Sequence, residues 1–338
     1  MAVVQIADIY NPLIWKAGIQ EKAIELNKFL QCGVMVDNPL LKEIASGPGS
    51  LGELPFIKGL ANVEPNYSTD DPAVFAVPAK ITGGKEQFRK SFQNGVWSAM
   101  DLAVEIALVK PVEAITGRIG QFWAVHSGKR LINSFKGIMA DNVANDASDM
   151  VVSVATLETG AAPSDAKCIN STLVIDAVTT AGDHMENFSC ICMHSIPYAK
   201  LLKANLITFV PISEQTIKIP YYLGLQVIVD DALAPRAGTI SGFVYTTILC
   251  GRNCVGYGLG EATVPTEHIR IPGAGNGGGQ DVFYSRNTEI LHPYGFAFTS
   301  VAVVGQSATY AELATATNWN RVYAERKNIS CAFILTNG

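Results

Sequence analysis

Apolar positions along the chain define its elements before any motif does. In GIQEKAIELNKFLQCG, residues 18–33, Ile19, Ala23, Leu26 and Leu30 recur at helical spacing, and Gly33 is placed to end the helix. Residues 1–17 lack that period, carry the turn pair Asn11-Pro12 and read as extended. A connector punctuated by glycine and proline, SGPGSLGELPF, follows. The strongest helical pattern lies in residues 98–140. Leu102, Ile106 and Val109 begin a stripe that Ile115, Ile119 and Phe122 continue and Leu131, Phe135 and Ile138 extend. Ser98 and Asp101 have the spacing of a capping box. Lys110-Pro111 marks a kink or a restart, because proline removes a backbone donor. Unbroken, such a helix would be about 60 Å long at about 1.5 Å per residue, which makes it a structural beam.

Between these helical regions the period changes. The acidic, turn-rich NVEPNYSTDDP is followed by AVFAVPAKIT, then Gly83-Gly84, then KEQFRKSFQNGVW. Two extended runs around a Gly-Gly pair predict a β-hairpin. Val77-Pro78 places its first arm at an edge, since proline cannot donate to a central ladder. The hairpin carries Lys80, Lys85, Arg89 and Lys90 against Glu86, and its approach carries Glu64, Asp70 and Asp71. A long hairpin with so few apolar residues is not stable alone. It is either a solvated edge or an arm lying on a neighbouring subunit, and these charged residues are its candidate contacts.

From about residue 167 short apolar runs alternate with glycine and proline. A helix is predicted near Lys200 in SIPYAKLLKANLITF. The runs LGLQVIVDD, TISGFVYTTILCG, CVGYGLGEATV and VFYSRNTEILHPYGFAFTSVAVV follow as strands. The glycine-rich GAGNGGGQ, residues 273–280, reads as a flexible loop. Thr309 and Glu312 form a capping-box pair opening TYAELATATNW, and ISCAFILT is a last strand. Strands grouped around a few helices give an α+β class.

Composition sharpens this picture. Only 16% of the 338 residues are charged and 48% are hydrophobic. A surface so poor in charge fits a chain whose faces are covered by partners. The net charge of −5 excludes a bulk electrostatic grip on nucleic acid. No run reaches the roughly 18 apolar residues of a membrane-spanning helix, and the N-terminus lacks a signal-peptide pattern. Seven cysteines at irregular spacing read as reduced, buried thiols.

The candidate chemistry is thin. VIVDDALAP places Asp230 and Asp231 together at the end of an apolar run. Neighbours on a strand face opposite sides, so the two carboxylates converge on one atom only if the strand has already ended. Aspartate is also favoured where strands turn. An enzyme using this pair is the remote alternative; an exit turn close to a subunit contact is the plainer one. His184, Cys190, Cys192 and His194, with Cys250 and Cys254 in reserve, form a metal-like grouping without finger or ribbon spacing. Gly256-Tyr-Gly-Leu-Gly260 lacks the following helix and the acidic residue of a dinucleotide site. No catalytic centre, cofactor site or metal site is expected.

The order of the pieces carries more than any motif. MHSIPYAKLLKANLI, LGLQVIVDDALAP with YTTILCGRNCVGYGLG, VFYSRNTEILHPYGFAFTS and the closing TYAELATATNWNRVYAERKNISCAFILTN follow in order. With ADIYNPLIWKAGIQEKAIELNKF and IGQFWAVHSGKRLINSFKGIMADN, they resemble the major capsid proteins of tailed double-stranded DNA bacteriophages. That fold is shared with encapsulins and the herpesvirus capsid floor. The resemblance implies an N-terminal arm at residues 1–60, an extended hairpin loop at 61–97 and a peripheral domain with a spine helix at 98–166. It implies a mainly axial domain at 167–290, with return strands and a short helix at 291–338. It further implies self-assembly as pentamers and hexamers into an icosahedral shell of the virion, put together in the host bacterial cytoplasm. The shell would enclose double-stranded DNA without reading its sequence and without a membrane. Scaffold, portal and decoration proteins are the implied partners, the scaffold being separate or absent. An encapsulin-type compartment around a cargo protein is the alternative.

Overall fold

The computed structural model describes residues 28–59, 64–78, 80–107, 118–156, 163–211, 218–238 and 242–338. Two sheets share one long helix. Helix α1 (Lys28–Gln31) leads through Gly33, at φ +73°, into strand β1 (Met35–Asp37), and α2 (Pro39–Ser46) follows. The side chain of Asn38 caps α2 by accepting from Leu40 N. The extended segment predicted at 1–17 and most of the helix predicted at 18–33 lie outside the described residues.

Strands β2 (Leu51–Ile57) and β3 (Gly83–Arg89) pair antiparallel as a hairpin stem. This corrects the expected pairing. The first arm is the segment read as a connector, and Gly83-Gly84 opens the second strand instead of turning the chain. Side-chain shape explains the choice. The ring of Phe56 lies over Gly84 and the ring of Phe88 over Gly52, and a Cβ at Gly84 or Gly52 would come within 2.6 or 2.4 Å of those rings. Gly52 and Gly84 thus each seat an aromatic ring from the opposite strand. AVFAVP, which ends in Pro78, forms no strand.

Strand β4 (Ser91–Met100) leaves the stem and pairs with the 14-residue β14 (Gln280–Pro293). Ser98, predicted to cap a helix, lies within β4, and α3 (Asp101–Ala107) begins only after it. The prolonged helix resolves into α3 and α4 (Ile119–Asn145); residues 108–117, with Lys110-Pro111, lie outside the described residues. The 27 residues of α4 span about 40 Å at about 1.5 Å per residue. Its predicted stripe of Leu131, Phe135 and Ile138 is buried.

The first sheet is built on β14. Strand β12 (Val255–Gly260) and then β13 (Thr266–Ile271) run along one edge, β4 runs along the other, and β1 lies parallel outside β12. The glycine-rich 273–280 segment is a compact turn. Gly279 N donates to Ala274 O, and its own carbonyl accepts from Asp101 N, so the turn is stitched to the start of α3.

The second sheet has eight strands. Its main order is β5 (Val151–Ser153), β17 (Cys331–Thr336), β11 (Phe243–Gly251), β6 (Phe188–Met193), β9 (Leu225–Val229), β8 (Lys218–Tyr222) and β7 (Thr208–Pro211), with the short β10 (Arg236–Ala237) also on β11. Both faces of its centre are covered, which is why those strands read as continuous apolar runs. Cys190 and Cys192 face the core under α4, while Ile191 and Met193 face α5 (Ser171–Thr179) and α6 (Ser195–Lys203). After the short pair β15 (Phe296–Phe298) and β16 (Trp319–Arg321), the last strand, β17, inserts between β5 and β11, and α7 (Tyr310–Leu313) carries the expected Thr309–Glu312 capping box.

A glycine sets the contact between α4 and α7. A Cβ at Gly137 would lie 2.1 Å from Leu313 O and 2.4 Å from Trp319 Nε1, atoms already joined by a 2.7 Å hydrogen bond. Gly137→Ala should therefore cost about 1–3 kcal/mol by overpacking. The check is a lower urea midpoint for the unassembled subunit. An unchanged midpoint would show that this segment yields freely.

Candidate assembly interface

The hairpin stem is anchored from below. Phe88 is buried against α2 and Ile290, and the ring of Phe56 meets Tyr323 edge-on at 5.2 Å. Glu86 points inward from β3. It accepts from Gly295 N at 3.0 Å, and its other oxygen lies 2.6 Å from His292 Nε2. Burial alone would push its carboxyl up, but the hydrogen bonds and charge of His292, with help from Tyr323 and Gly295, outweigh burial and hold it below the usual carboxylate range.

Beyond the stem, packing stops. Every residue from Glu64 to Pro78 is exposed, Phe75 at 84%, and Ile57, Tyr67, Val74, Val77 and Ile81 are exposed with it. An apolar run held entirely in water offsets none of the entropy of ordering it. Exposed apolar surface of this extent is typical of interaction sites.

The charged candidates divide by position. Glu64, Asp70, Asp71 and Lys80 lie on the exposed tip, with Asp71 accepting from Ala73 N at 2.9 Å. The other three are engaged at home. Lys85 pairs with Glu53 across the stem at 2.7 Å. Arg89 donates to the carbonyls of Gly305 (2.6 Å) and Gln306 (2.8 Å). Lys90 is 1% exposed and its ammonium lies on Gly47 O at 2.6 Å. Lysine at 85 and 90 and arginine at 89 therefore set the root of the hairpin, and the tip residues present its outer surface.

Arg89 leads to a feature that pattern reading missed. VAVV, expected as strand, is a loop, because β15 (Phe296–Phe298) ends early and Ser300 turns the chain with φ +59°. Val301 is exposed, and Val304 is 97% exposed. The loop is fixed to the hairpin root by Arg89 and by Ser307, whose hydroxyl exchanges hydrogen bonds with the backbone of Phe92. A third exposed apolar surface lies at the far edge of the second sheet, where β7 carries Phe209 and Val210 with Leu223 close by in sequence to its partner β8. An apolar edge strand left open invites pairing or coverage by another chain.

Asp230 and Asp231 sit just after β9. Asp230 Oδ1 accepts from Ala232 N at 2.8 Å and so closes the turn. Asp231 reaches across to α6, where it accepts from Ser195 N at 3.0 Å, with His194 Nε2 3.6 Å away. The Ser195 contacts, then the charges of His194 and Lys28, hold the Asp231 carboxyl low despite partial burial. The two acids serve different backbone groups and do not converge. Both line a cleft with Lys28, Gly128 and Lys129, between α1 and α4.

The metal-like grouping does not assemble. His184 Nδ1 lies 3.0 Å from Lys327 O, and His194 caps α6 by accepting from Ile196 N. Cys190 and Cys192 are in the core. Among the described residues no three His, Cys, Asp or Glu side chains are placed to hold a metal ion. His126 joins an aromatic row, its ring 4.2 Å from Phe122 and bonded to the Tyr310 hydroxyl. Deeper, Glu289 is fully buried between β14 and α4. It accepts from Ser127 and from Gln93, with Arg130 Nε at 3.5 Å. Burial pushes its carboxyl up against the pull of those partners. This network ties the long helix to β14.

Comparison with known proteins follows the same direction. The major capsid protein of Bacillus phage SPP1 is 30% identical over 330 residues, which cover 97% of this chain and 96% of that protein. The capsid of Ralstonia phage GP4 matches with a TM-score of 0.55 at 9% identity, covering 94% of this chain and 93% of that one. The cyanophage Pam1 capsid asymmetric unit matches with a TM-score of 0.56 at 9% identity, covering 94% of each. At such identities the structures share the fold. No family model matches the chain.

Proposed function

Because the chain belongs to the major capsid proteins of tailed bacteriophages, we propose that its copies close into an icosahedral shell of pentamers and hexamers, each laying its hairpin tip on a neighbour. It is a structural subunit of the virion capsid and not an enzyme. The observation that carries the finer reading is the fully exposed tip, in which AVFAVP lies beside Asp70 and Asp71 with no core of its own. The loop at Val301 and Val304 and the β7 edge are the second and third contact surfaces of this reading. In this reading Asp230 and Asp231 also face a subunit contact, where their charge sets register. The low proportion of charged residues supports permanent, charge-depleted interfaces.

The enclosed cargo in this reading is double-stranded DNA, contained and not gripped, since the chain is net acidic at −5. Scaffold, portal and decoration proteins complete the particle, which is assembled in the host cytoplasm. The direct test is to concentrate the purified protein and follow it by sedimentation velocity and negative-stain microscopy. Closed particles, or discrete five- and six-fold capsomers, are expected. A strictly monomeric species at high concentration would sink the proposal.

A further inference from the structure

The chain has three Asn-Gly pairs, Asn94-Gly95, Asn276-Gly277 and Asn337-Gly338. A glycine after asparagine leaves the next backbone nitrogen unshielded and free to turn toward the carboxamide. The fold restrains two of the three. Asn94 lies inside β4, within its ten-residue ladder to β14, and the ring of Trp97 covers Gly95. Asn337 is 6% exposed. Its amide nitrogen donates to Thr156 O and Phe243 O, both at 2.8 Å, and its oxygen accepts from Thr156 N at 3.0 Å. Asn276 is exposed in the glycine-rich turn, and among the described residues its carboxamide makes no hydrogen bond.

From this contrast we infer that Asn276 is a site of spontaneous main-chain modification. Its carboxamide is attacked by the Gly277 nitrogen and ends as aspartate and isoaspartate, while Asn94 and Asn337 are preserved. Gly275 and Asn276 are both left-handed, at φ 63° and 56°, a conformation that asparagine tolerates. With ψ 42° at Asn276 the Gly277 nitrogen lies anti to Cβ, so the reaction runs through an opened turn. Opening there breaks bonds made within the turn, among them Gly278 N to Gly275 O at 3.3 Å and Gly279 N to Ala274 O at 3.0 Å. The bond from Asp101 N to Gly279 O lies beyond the rotating torsion and is kept. The same rotation at Asn94 would peel β4 from β14, and at Asn337 it would strip three buried hydrogen bonds. The free energy of local opening therefore selects Asn276.

In the opened turn hydroxide takes the proton of Gly277 N, and the nitrogen attacks Asn276 Cγ. A new N–C bond forms, the bond from Cγ to the carboxamide nitrogen breaks, and that nitrogen takes up a proton and leaves as ammonia. The product is a cyclic succinimide. One water then adds to it. Addition at Cγ breaks the new bond and gives aspartate. Addition at the α-carbonyl breaks the original peptide bond and leaves the chain running through Cγ as isoaspartate. In sum, one asparagine and one water give one acid and one ammonia, with no change of oxidation state. Either product adds a negative charge to a chain of net −5. Isoaspartate also lengthens the main chain by one atom, in a turn with little slack. A Cβ at Gly275 would lie 2.4 Å from Met100 Cε, and one at Gly279 2.5 Å from Asp101 Oδ2. The change falls at the joint of β4, α3 and β14, where Arg270 pairs with Asp101 and Asp281.

The test uses the unassembled full-length subunit, so it does not depend on the assembly reading. The protein is held at mildly alkaline pH, folded or in urea, and sampled over weeks. Tryptic fragments 91–118, 271–286 and 328–338 each hold one Asn-Gly pair. Their masses report exchange of the amide for an acid, and an isoaspartyl methyltransferase labels isoaspartate. In the folded subunit 271–286 should convert, with 91–118 and 328–338 at least about tenfold slower because protected structure must open first. In urea that protection should vanish and all three should convert. Asn276→Gln should hold 271–286 unmodified. The inference fails if 271–286 of the folded wild type stays unmodified, or if either other fragment converts as fast. The wild-type maps decide between these outcomes even if the variant does not fold.

Discussion

Replacing residues 60–80 by Asn-Gly should leave a folded subunit that no longer closes into shells. The stem survives the change because Lys58 N already pairs with Thr82 O at 2.9 Å, one step beyond the Ile57–Gly83 pair. A two-residue turn of this type matches the twist of paired strands. The removed segment is exposed throughout its described part, so its loss uncovers no core and should not move the unfolding midpoint of the isolated subunit. Assembly should respond very differently. A buried aromatic anchor in an interface is worth about 2 kcal/mol or more, and each 1.4 kcal/mol is tenfold in equilibrium. Phe75→Ser alone should therefore raise the concentration needed for assembly by roughly 30-fold, and the full replacement should abolish particles. Sedimentation velocity and microscopy of matched preparations give the answer. Normal particles from the replaced chain would show that the tip is not a clamp between subunits.

What could be read from the sequence, and what could not, divides by the range of the interaction. The Thr309–Glu312 capping box is made within four residues, and it is present as expected. The stripe of Leu131, Phe135 and Ile138 is likewise a local period, and its burial follows from it. The hairpin register depends on which distant strand offers a ring for each glycine. AVFAVP has more strand character than LGELPF, yet only LGELPF places Gly52 under Phe88 and Phe56 over Gly84. α5 escaped notice because STLVIDAVT is rich in β-branched residues that favour strands. Its local signal was Asn170, whose side chain accepts from Leu173 N at 3.0 Å. The exposed Val301 and Val304 could not be told from strand residues by pattern, since the turn that exposes them begins at a left-handed serine. The three Asn-Gly pairs look alike in sequence, and which of them the fold leaves unrestrained is a tertiary fact.

Glu86→Ala should be among the most destabilising single changes in the chain, at about 3–5 kcal/mol for breaking a buried pair. The side chain is nearly fully buried, and its removal leaves His292 and Gly295 N without their acceptor. Glu86→Gln should cost less, because it keeps the shape of the side chain and its one amide oxygen can still accept from one of the two donors. The pH dependence separates charge from shape. The folded carboxyl is held below its ordinary range, so its contribution is present above about pH 4.3, the unfolded value, and is lost as pH falls through the folded value. Glu289 has the opposite sign: burial raises its carboxyl, and its titration favours the fold as pH falls. A single acid titration of the wild type mixes the two. The difference between wild type and Glu86→Gln isolates Glu86, and it should shrink as pH falls. Urea midpoints of the unassembled subunit at a series of pH values measure it, and a difference independent of pH would mean that shape alone is lost. The consequence reaches the shell, because Glu86 fixes β3 to β14 at the point where the hairpin leaves the subunit. A stem released by acid no longer fixes the direction of its tip, so particles should lose closure over the same pH range in which this difference shrinks.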